Sequence, residues 1–198
     1  MSDDPIAQAI AATRRGELIV FPTDTVYGIA VAPDEAAATA RLFEAKQRPR
    51  DLTLPVLAGS IADARAIAAL DDRAERLAAA LWPGPLTLIV PRTARSAPWQ
   101  LGGEGASVGV RIPAHRLARA VLAGGPLATT SANRSGEPPA TTCDDLHAVF
   151  GDEVALYLCD DEPLVGRAST VVSLLGPAPV ILRAGDIDAD TVARLSAG

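Results

Sequence analysis

The chain has 198 residues, of which 48% are hydrophobic, and carries a formal net charge of -6 at pH 7. This acidic balance argues against a protein whose main activity is nonspecific attraction to polyanions, and an aromatic content of 4% leaves no base-stacking surface of the RNA-recognition type. The length fits one α/β domain over residues 1–198, with a core of Ala, Val, Leu and Ile.

The first half of the chain alternates predicted helices with short apolar strands. Ser2 or Asp3 is predicted to cap a first helix that ends at Gly16. The next predicted elements are strands at 18–21 and 29–32, a helix at 37–46 that Pro49 ends, a strand at 54–57, helices at 61–70 and 73–81, and a strand at 86–90.

Strands dominate the second half of the chain. They are predicted at 107–112, from 127 onward, at 154–158 and 170–174, and within 179–185, with a helix from Thr141 or Thr142 to Phe150 and a short closing helix. The Pro-, Gly- and Ser-containing segment 92–106 is predicted to be a mobile loop. Because adjacent strand pairs occur beside strand–helix alternation, we expect a twisted, open, mixed sheet with flanking helices.

The cysteines and histidines show no metal-binding pattern. Cys143 and Cys159 lack a CxxC spacing, and His115 and His147 are the only histidines. We expect both cysteines to be free thiols in a reducing cytosol and His115 to be a surface or helix-capping residue. No apolar run approaches the roughly 20 residues that a bilayer span needs, so a cytoplasmic protein without membrane contact is predicted.

Residues 22–28 place two hydroxyls and a carboxylate, those of Thr23, Thr25 and Asp24, between two apolar runs. Polar groups at such a position are costly unless they bind something, which favours a binding role. The alternative is a local turn in which these side chains bond to their own backbone. Turn chemistry alone leaves both interpretations open.

Lys46 is the only lysine among the 18 Lys and Arg residues, and it stands in a run of three cations within residues 46–50. Lysine provides a compact point charge that arginine does not replace on a phosphate or carboxylate oxygen, which favours an anion contact. The alternative is a cation that stabilises the carboxyl end of its helix.

Polar and cationic residues collect where predicted strands end, as ligand-binding groups do at the edge of an open α/β sheet. The chain has neither GxxxxGK[ST] nor GxGxxG, so side chains rather than a glycine-rich loop would hold a phosphate-rich anion. Nucleophilic use of Ser131 is conceivable, but neither histidine is marked as its base. Charge stabilisation is therefore favoured over acid–base chemistry. The strand-end residues are Thr23, Thr25, Lys46, Arg48, Arg111, Ser131, Asn133 and Arg183.

Six short segments, in this order, resemble the YrdC-like, threonylcarbamoyl-adenylate synthase family. The resemblance runs from about Gly16 to Gly185 and matches the short, single-domain members. The segments are Pro22-Thr23-Asp24-Thr25-Val26-Tyr27-Gly28, Lys46-Gln47-Arg48-Pro49, Trp82-Pro83-Gly84-Pro85-Leu86-Thr87, Val110-Arg111-Ile112-Pro113, Thr130-Ser131-Ala132-Asn133 and Leu182-Arg183-Ala184-Gly185.

The resemblance implies a YrdC/DHBP-synthase-like sheet around a basic concave cavity, and a nucleotidyltransferase activity. L-Threonine and bicarbonate or CO2 would form an N-carboxylate that attacks the α-phosphate of ATP, giving threonylcarbamoyl-AMP and pyrophosphate. Downstream tRNA-modifying proteins would use this product to make threonylcarbamoyladenosine, and a weak contact with tRNA is conceivable. Mg2+ is expected to accompany the triphosphate without a dedicated set of protein ligands.

The resemblance also implies site residues. The implied catalytic residues are Lys46, Arg48, Ser131 and Asn133. The implied threonine-binding residues are Thr23, Thr25, Arg111 and Ser169, and the nucleotide-binding residues are Lys46, Arg48, Asn133, Thr141 and Arg183. One departure concerns Leu52-Thr53-Leu54, where the family commonly has a polar or basic residue followed by Pro-Leu.

Two other functions remain open from the sequence. One is an RNA-binding module of the same fold, against which the acidic balance and the scarcity of aromatic residues argue. The other is a paralogue that acts on a different carbamoyl or nucleotide substrate.

Overall fold

The structure, a computed structural model, describes residues 4–161, 163, 164 and 166–197. Its helices are α1 (Pro5–Arg14), α2 (Ala36–Lys46), α3 (Ile61–Ile67), α4 (Asp72–Leu81), α5 (Arg116–Leu122), α6 (Cys143–Phe150) and α7 (Ala189–Ala197), with a short 3-10 helix at Gly151–Glu153. Its strands are β1 (Ile19–Phe21), β2 (Gly28–Val31), β3 (Val56–Leu57), β4 (Leu86–Pro91), β5 (Ser107–Arg111), β6 (Leu127–Ser131), β7 (Leu156–Tyr157), β8 (Thr170–Ser173) and β9 (Val180–Arg183).

The strands form one open sheet in the order β7-β1-β2-β6-β3-β5-β4-β8-β9. Three neighbouring pairs are parallel, namely β1 with β7, β3 with β5 and β4 with β8. The remaining pairs are antiparallel. The twisted, mixed α/β sheet that the sequence predicts is therefore confirmed.

Alternating side chains of the strands build an apolar core on each face of the sheet. On one face, Val20 and Ile29 belong to a cluster that includes Leu42 of α2. On the other face, Ile19 and Leu57 belong to a cluster with residues of α1 and α5. Leu57 also lines a cavity, so the part of this second face that lies beyond α1 and α5 is open.

The ends of α1 and α2 are set by local capping. Asp4 caps α1 by accepting a hydrogen bond from the Ile6 amide at 2.9 Å, whereas the predicted caps, Ser2 and Asp3, lie outside the described residues. Helix α2 ends at Lys46 as predicted, and the residue that caps it is Gln47, whose φ of 50° is left-handed, so the helix has already ended before Pro49. This sharp turn places Lys46 and Arg48 on different sides of the helix end.

The segment 92–106, predicted to be a mobile loop, packs against the core. Ser96 and Leu101 have no exposed surface, and Trp99 is also buried. The Arg92 guanidinium donates to the carbonyl oxygens of Trp99, at 2.7 Å, and Ser107, at 2.9 Å. The Pro, Gly and Ser residues of this segment therefore belong to an irregular loop that is held in place by buried side chains and hydrogen bonds.

Cys143 and Cys159 form a disulfide, with their Cα atoms 5.8 Å apart. The bond joins the start of α6 to the segment that follows β7, so the prediction of two free thiols is wrong. Spacing gave no signal for this pairing, because the two residues meet only through the tertiary packing of α6 beside β7.

No helix in the described part of the chain has both the length and the apolar character that crossing a bilayer requires.

Candidate functional site

A cavity of about 600 Å3 lies on the open part of the sheet face. Side chains of β4, β5, β6, β8 and β9 line it, together with the loops after β1 and α2. Seven of the residues that the sequence singled out meet there, although they come from segments far apart in the chain. They are Thr23, Thr25, Arg48, Arg111, Ser131, Ser169 and Arg183.

Arg111 is held rigidly at one end of the cavity, with 5% of its surface exposed. Its guanidinium donates to the Gly84 carbonyl at 3.0 Å, to Thr25 Oγ1 at 2.8 Å and to Asp24 Oδ1 at 2.6 Å. Asp24 also accepts from the Ala114 amide at 3.0 Å. Burial lowers the pKa of Arg111, and the charge of Asp24 opposes that change. A fixed cation therefore faces this end of the cavity.

Thr23 and Thr25 form a local turn, and both also line the cavity. Thr23 Oγ1 accepts from the amides of Thr25 and Val26, each at 3.2 Å, and donates to the Val26 carbonyl at 2.6 Å. The two hydroxyl oxygens are 2.9 Å apart, and both residues line the cavity. The local turn is thus confirmed, and it fixes the direction in which both hydroxyls point.

Ser169 links two more cavity residues. Its hydroxyl lies 2.8 Å from Thr87 Oγ1 and accepts from Arg183 Nη2 at 3.0 Å, and its carbonyl accepts from Arg183 Nε at 2.9 Å. Burial lowers the pKa of Arg183. These bonds fix the second cation at the edge of the sheet.

Arg48 also lines the cavity and donates to the carbonyls of Leu52, at 3.2 Å, and Thr53, at 3.1 Å. Burial and then the charge of Arg183 lower the pKa of Arg48, while Asp51 raises it. Two like charges in one partly buried cavity repel each other, so an anion bound between them would relieve that repulsion.

Lys46 lies beneath the cavity rather than on its lining. It is 2% exposed, and its Nζ donates to the carbonyls of Ser131, at 2.7 Å, and Asn133, at 2.5 Å, and to Asn133 Oδ1 at 3.0 Å. Ser131 Oγ donates to the same Oδ1 at 2.6 Å, and Asn133 Nδ2 donates to the carbonyls of Arg134 and Glu137. Lys46 therefore fixes the turn that presents Ser131 to the cavity.

Burial lowers the pKa of Lys46 from 10.5 to about 7, and the charges of Arg48 and Arg134 act in the same direction. The unfolded chain then binds more protons at this residue than the folded chain between about pH 7 and pH 10, so the free energy of unfolding rises with pH across that window. We expect urea midpoints to rise more from pH 7 to pH 9 in the native sequence than in Lys46→Met. Parallel midpoints in the two proteins would contradict this assignment.

Thr141 and His115 lie outside the cavity lining, as Lys46 and Asn133 also do. The Thr141 carbonyl accepts from the Leu164 amide at 2.9 Å, and Thr142 caps α6 by accepting from the Asp145 amide. His115 stands at the N-terminus of α5, where its Nε2 lies 2.9 Å from Asp160 Oδ2. The structure gives neither Thr141 nor His115 a place in the cavity wall.

Other lining residues escaped the sequence analysis. They include Tyr27, Asp51, Thr87, Ile89 and Leu182. Thr87 carried a usable signal, because it is a polar residue inside an apolar strand. Leu182 carried none, since an apolar residue in an edge strand is ordinary.

The fold and the cavity can now be compared with those of known proteins. A family model described as "Telomere recombination", with the name Sua5_yciO_yrdC, matches residues 11–185. The chain belongs to the Sua5/YciO/YrdC family.

Relatives in the Sua5/YciO/YrdC family match over most of this chain. A protein of Chromohalobacter salexigens named threonylcarbamoyl-AMP synthase is 44% identical over 176 residues, which cover 86% of this chain and 93% of the relative. The structure of Pyrococcus abyssi Sua5 complexed with L-threonine aligns with a TM-score of 0.89 at 35% identity, over 96% of this chain and 56% of the Sua5 chain. Escherichia coli YciO aligns with a TM-score of 0.87 at 25% identity, over 94% of this chain and 92% of YciO.

Proposed function

We propose that this member of the Sua5/YciO/YrdC family is an L-threonylcarbamoyladenylate synthase, a nucleotidyltransferase that acts on L-threonine, bicarbonate or CO2, and ATP. One observation carries the proposal. Arg111 is held in place next to hydroxyl groups, and it lines the same cavity as the cations Arg48 and Arg183. Relatives named threonylcarbamoyl-AMP synthase and the threonine complex of Sua5 support it.

Arg111 is suited to hold the carboxylate of threonine. Its guanidinium has five N–H donors, and the bonds to Gly84, Thr25 and Asp24 use three of them. The two remaining donors can engage a carboxylate in the cavity. The hydroxyls of Thr23 and Ser169 would complete the contacts with the amino acid.

Arg48 and Arg183 are suited to hold the phosphates of ATP. During transfer, an oxygen of the threonine N-carboxylate forms a bond to the α-phosphorus, the bond from that phosphorus to the bridging oxygen breaks, and pyrophosphate leaves. Cations fixed before the reaction stabilise the negative charge that builds on the phosphoryl oxygens. Because the N-carboxylate is already an anion, this attack needs no general base.

The residues present fit a role for Mg2+ as a companion of the triphosphate. The described residues hold no group of three or more His, Cys, Asp and Glu side chains placed for a metal ion, and Asp51 contributes one carboxylate to the cavity. One carboxylate with phosphate oxygens is a usual environment for Mg2+, which neutralises phosphate charge when bound.

The proposed function is tested by incubating the protein with ATP, bicarbonate and a panel of amino acids, while pyrophosphate and the acyl-adenylate are measured by mass spectrometry. We expect a product that depends on threonine and bicarbonate, which cytoplasmic tRNA-modifying proteins would consume. Absence of that product would overturn the proposal. Micromolar tRNA binding without ATP or threonine would favour an RNA-binding module, and a product with another amino acid would favour a paralogue.

Gly166 provides a separate test of the threonine end. A Cβ at Gly166 would overlap the Thr25 carbonyl, so Gly166→Ala must displace the segment beside Thr25. We expect the KM for threonine to rise at least about tenfold with a smaller change in the KM for ATP, because small displacements of positioning groups are costly. Gly176→Ala is the matched control, since its Cβ would meet no atom nearer than 3.9 Å. Equal effects of the two substitutions would contradict the prediction.

A further inference from the structure

One guanidinium lies where the carboxyl ends of two helices meet. Arg134 comes directly after the turn at residues 131–133, which ends β6, and its Nη1 donates to the Ala45 carbonyl in the last turn of α2. Its Nη2 donates to the Val149 carbonyl in the last turn of α6, at 2.9 Å. The last carbonyl groups of a helix lack partners within the helix and carry partial negative charge, so a cation here stabilises both helix ends.

Two further contacts fix the orientation of this guanidinium. The Nη2 of Arg134 also lies 2.6 Å from Glu153 Oε1, in the 3-10 helix that follows α6. The Cζ of Arg134 lies 5.1 Å from the centre of the Phe150 ring, which is buried in the core. A cation placed over an aromatic face gains electrostatic attraction. One side chain therefore ties the turn after β6 to α2, α6 and the 3-10 helix, an arrangement that we call the Arg134 clamp.

The backbone beside Arg134 makes these contacts reciprocal. The Ser135 amide donates to the Lys46 carbonyl at 2.8 Å, while the Lys46 ammonium donates to the carbonyls of Ser131 and Asn133. The side-chain amide of Asn133 donates in turn to the Arg134 carbonyl at 2.8 Å. The end of α2 and the turn after β6 thus hold each other, and Arg134 links this pair to α6.

We propose that Arg134 is a positioning residue for the transfer reaction, which keeps Ser131 in place at the cavity by clamping the turn after β6 to α2 and α6. This inference rests on the proposed function, because it assigns Arg134 an effect on turnover. Arg134 acts through other residues, since Ser131 lines the cavity and Arg134 does not. A displacement of about 1 Å in a reacting geometry can lower a rate about 100-fold.

The threonine end of the cavity is built separately from the Arg134 clamp. Arg111 takes its hydrogen-bond partners from Gly84, Thr25 and Asp24, which lie in the loops before β4 and after β1. The clamp instead joins the turn after β6 to α2, α6 and the 3-10 helix. Loosening the clamp should therefore lower kcat and leave the KM for threonine unchanged.

Arg73 provides a matched arginine on the segment between β8 and β9, at one edge of the sheet. Its guanidinium donates to three carbonyl oxygens in residues 174–177, at 2.9 to 3.0 Å, and pairs with Asp71 at 2.7 Å. The exposed fractions also match, at 23% and 48% for Arg73 and Asp71 and at 28% and 45% for Arg134 and Glu153. Methionine at either position therefore removes a similar set of bonds, but Arg73 makes its own away from the turn after β6.

The clamp is tested by comparing Arg134→Met with Arg73→Met, which should show similar falls in the urea midpoint. Arg134→Met should lower the kcat of threonine-dependent pyrophosphate release at least about tenfold and keep the KM for threonine within about twofold, whereas Arg73→Met should change neither. In hydrogen exchange followed by mass spectrometry, the peptide 131–137 should exchange at least about tenfold faster in Arg134→Met and at the native rate in Arg73→Met. Arg134→Lys is a milder variant, because one ammonium cannot span the three elements, and should show the same pattern at about threefold.

The outcomes separate this inference from the proposed function. Equal losses of kcat in Arg134→Met and Arg73→Met would overturn the clamp, as would a rise in the KM for threonine as large as the fall in kcat. Unchanged exchange of the peptide 131–137 in Arg134→Met would also overturn it, and where that variant does not fold, unchanged exchange in Arg134→Lys does so. If exchange rises in the Arg134 variants alone but the unaltered protein releases no threonine-dependent pyrophosphate, the clamp stands and the proposed function fails.

Discussion

Lys46→Arg is expected to lower turnover by at least about tenfold, although it keeps the positive charge. Lys46 Nζ donates to three oxygens, those of the Ser131 carbonyl, the Asn133 carbonyl and the Asn133 side chain. A single ammonium nitrogen can serve three converging acceptors, whereas a planar guanidinium is larger and spreads its donors over a fork. The turn at 131–133 must then shift, and threonine-dependent pyrophosphate release measures the loss.

Lys46→Met separates the role of the charge from that of the shape of the side chain. It leaves buried acceptors without a donor, so we expect the free energy of unfolding to fall by about 3 kcal/mol. Arg14→Lys, an exchange at the exposed end of α1, is the matched control and should leave turnover and stability unchanged. Unchanged turnover in Lys46→Arg would instead assign Lys46 a simple role at the end of its helix.

Arg111→Met is expected to raise the KM for threonine about 100-fold or more. The substitution removes the donors proposed to hold the carboxylate, and hydrogen bonds to charged groups contribute about 1.5–3 kcal/mol each. It also leaves the Asp24 carboxylate, whose side chain is 18% exposed, without its partner at 2.6 Å. We therefore expect a loss of stability of about 3 kcal/mol, which thermal unfolding and steady-state kinetics measure together.

The double variant Arg111→Met with Asp24→Asn distinguishes lost binding from lost folding. Asparagine removes the unpaired charge but retains an oxygen that can accept from the Ala114 amide. Stability should recover in part while the KM for threonine remains high. Recovery of threonine binding along with stability would show that Arg111 acts through the fold alone.

The sequence predicted the helices and strands of this protein better than it predicted which residues contact one another across the fold. Buried strands such as β1 and β5 follow from continuous apolar runs, and Arg111 and Arg183 follow from their positions at strand ends. Lys46 stood out by composition, but its partners are two backbone oxygens and one side-chain oxygen of Ser131 and Asn133, which lie 85 and 87 positions away, and no local pattern reveals them. The prediction that Lys46 contacts an anion directly stays untested, but the structure places its ammonium on the turn at 131–133 and not in the cavity lining.

The other features that the sequence did not predict are irregularities of the backbone and one disulfide. The bulge at Leu182 and the pairing of Cys143 with Cys159 each depend on how distant elements pack, whereas the left-handed turn at Gln47 is a local cap formed without the usual glycine. Propensity and periodicity describe one segment at a time, so they are silent about such features. The signal at Thr141 and Thr142 was local, and the structure resolved it in favour of Thr142 as the helix cap.

Having a single lysine, buried beneath the cavity, makes this chain a natural subject for amine-directed labelling. Reagents that acylate amines require an unprotonated nitrogen that they can reach, and Lys46 is 2% exposed while its pKa lies at about 7. Opening of the end of α2 removes that burial and returns the pKa of Lys46 towards 10.5, so labelling is best followed at alkaline pH, where the exposed amine is deprotonated. The rate at which this one side chain acquires a label, read from the mass of the peptide that contains Lys46 because the α-amino group of the chain also reacts, would time that opening.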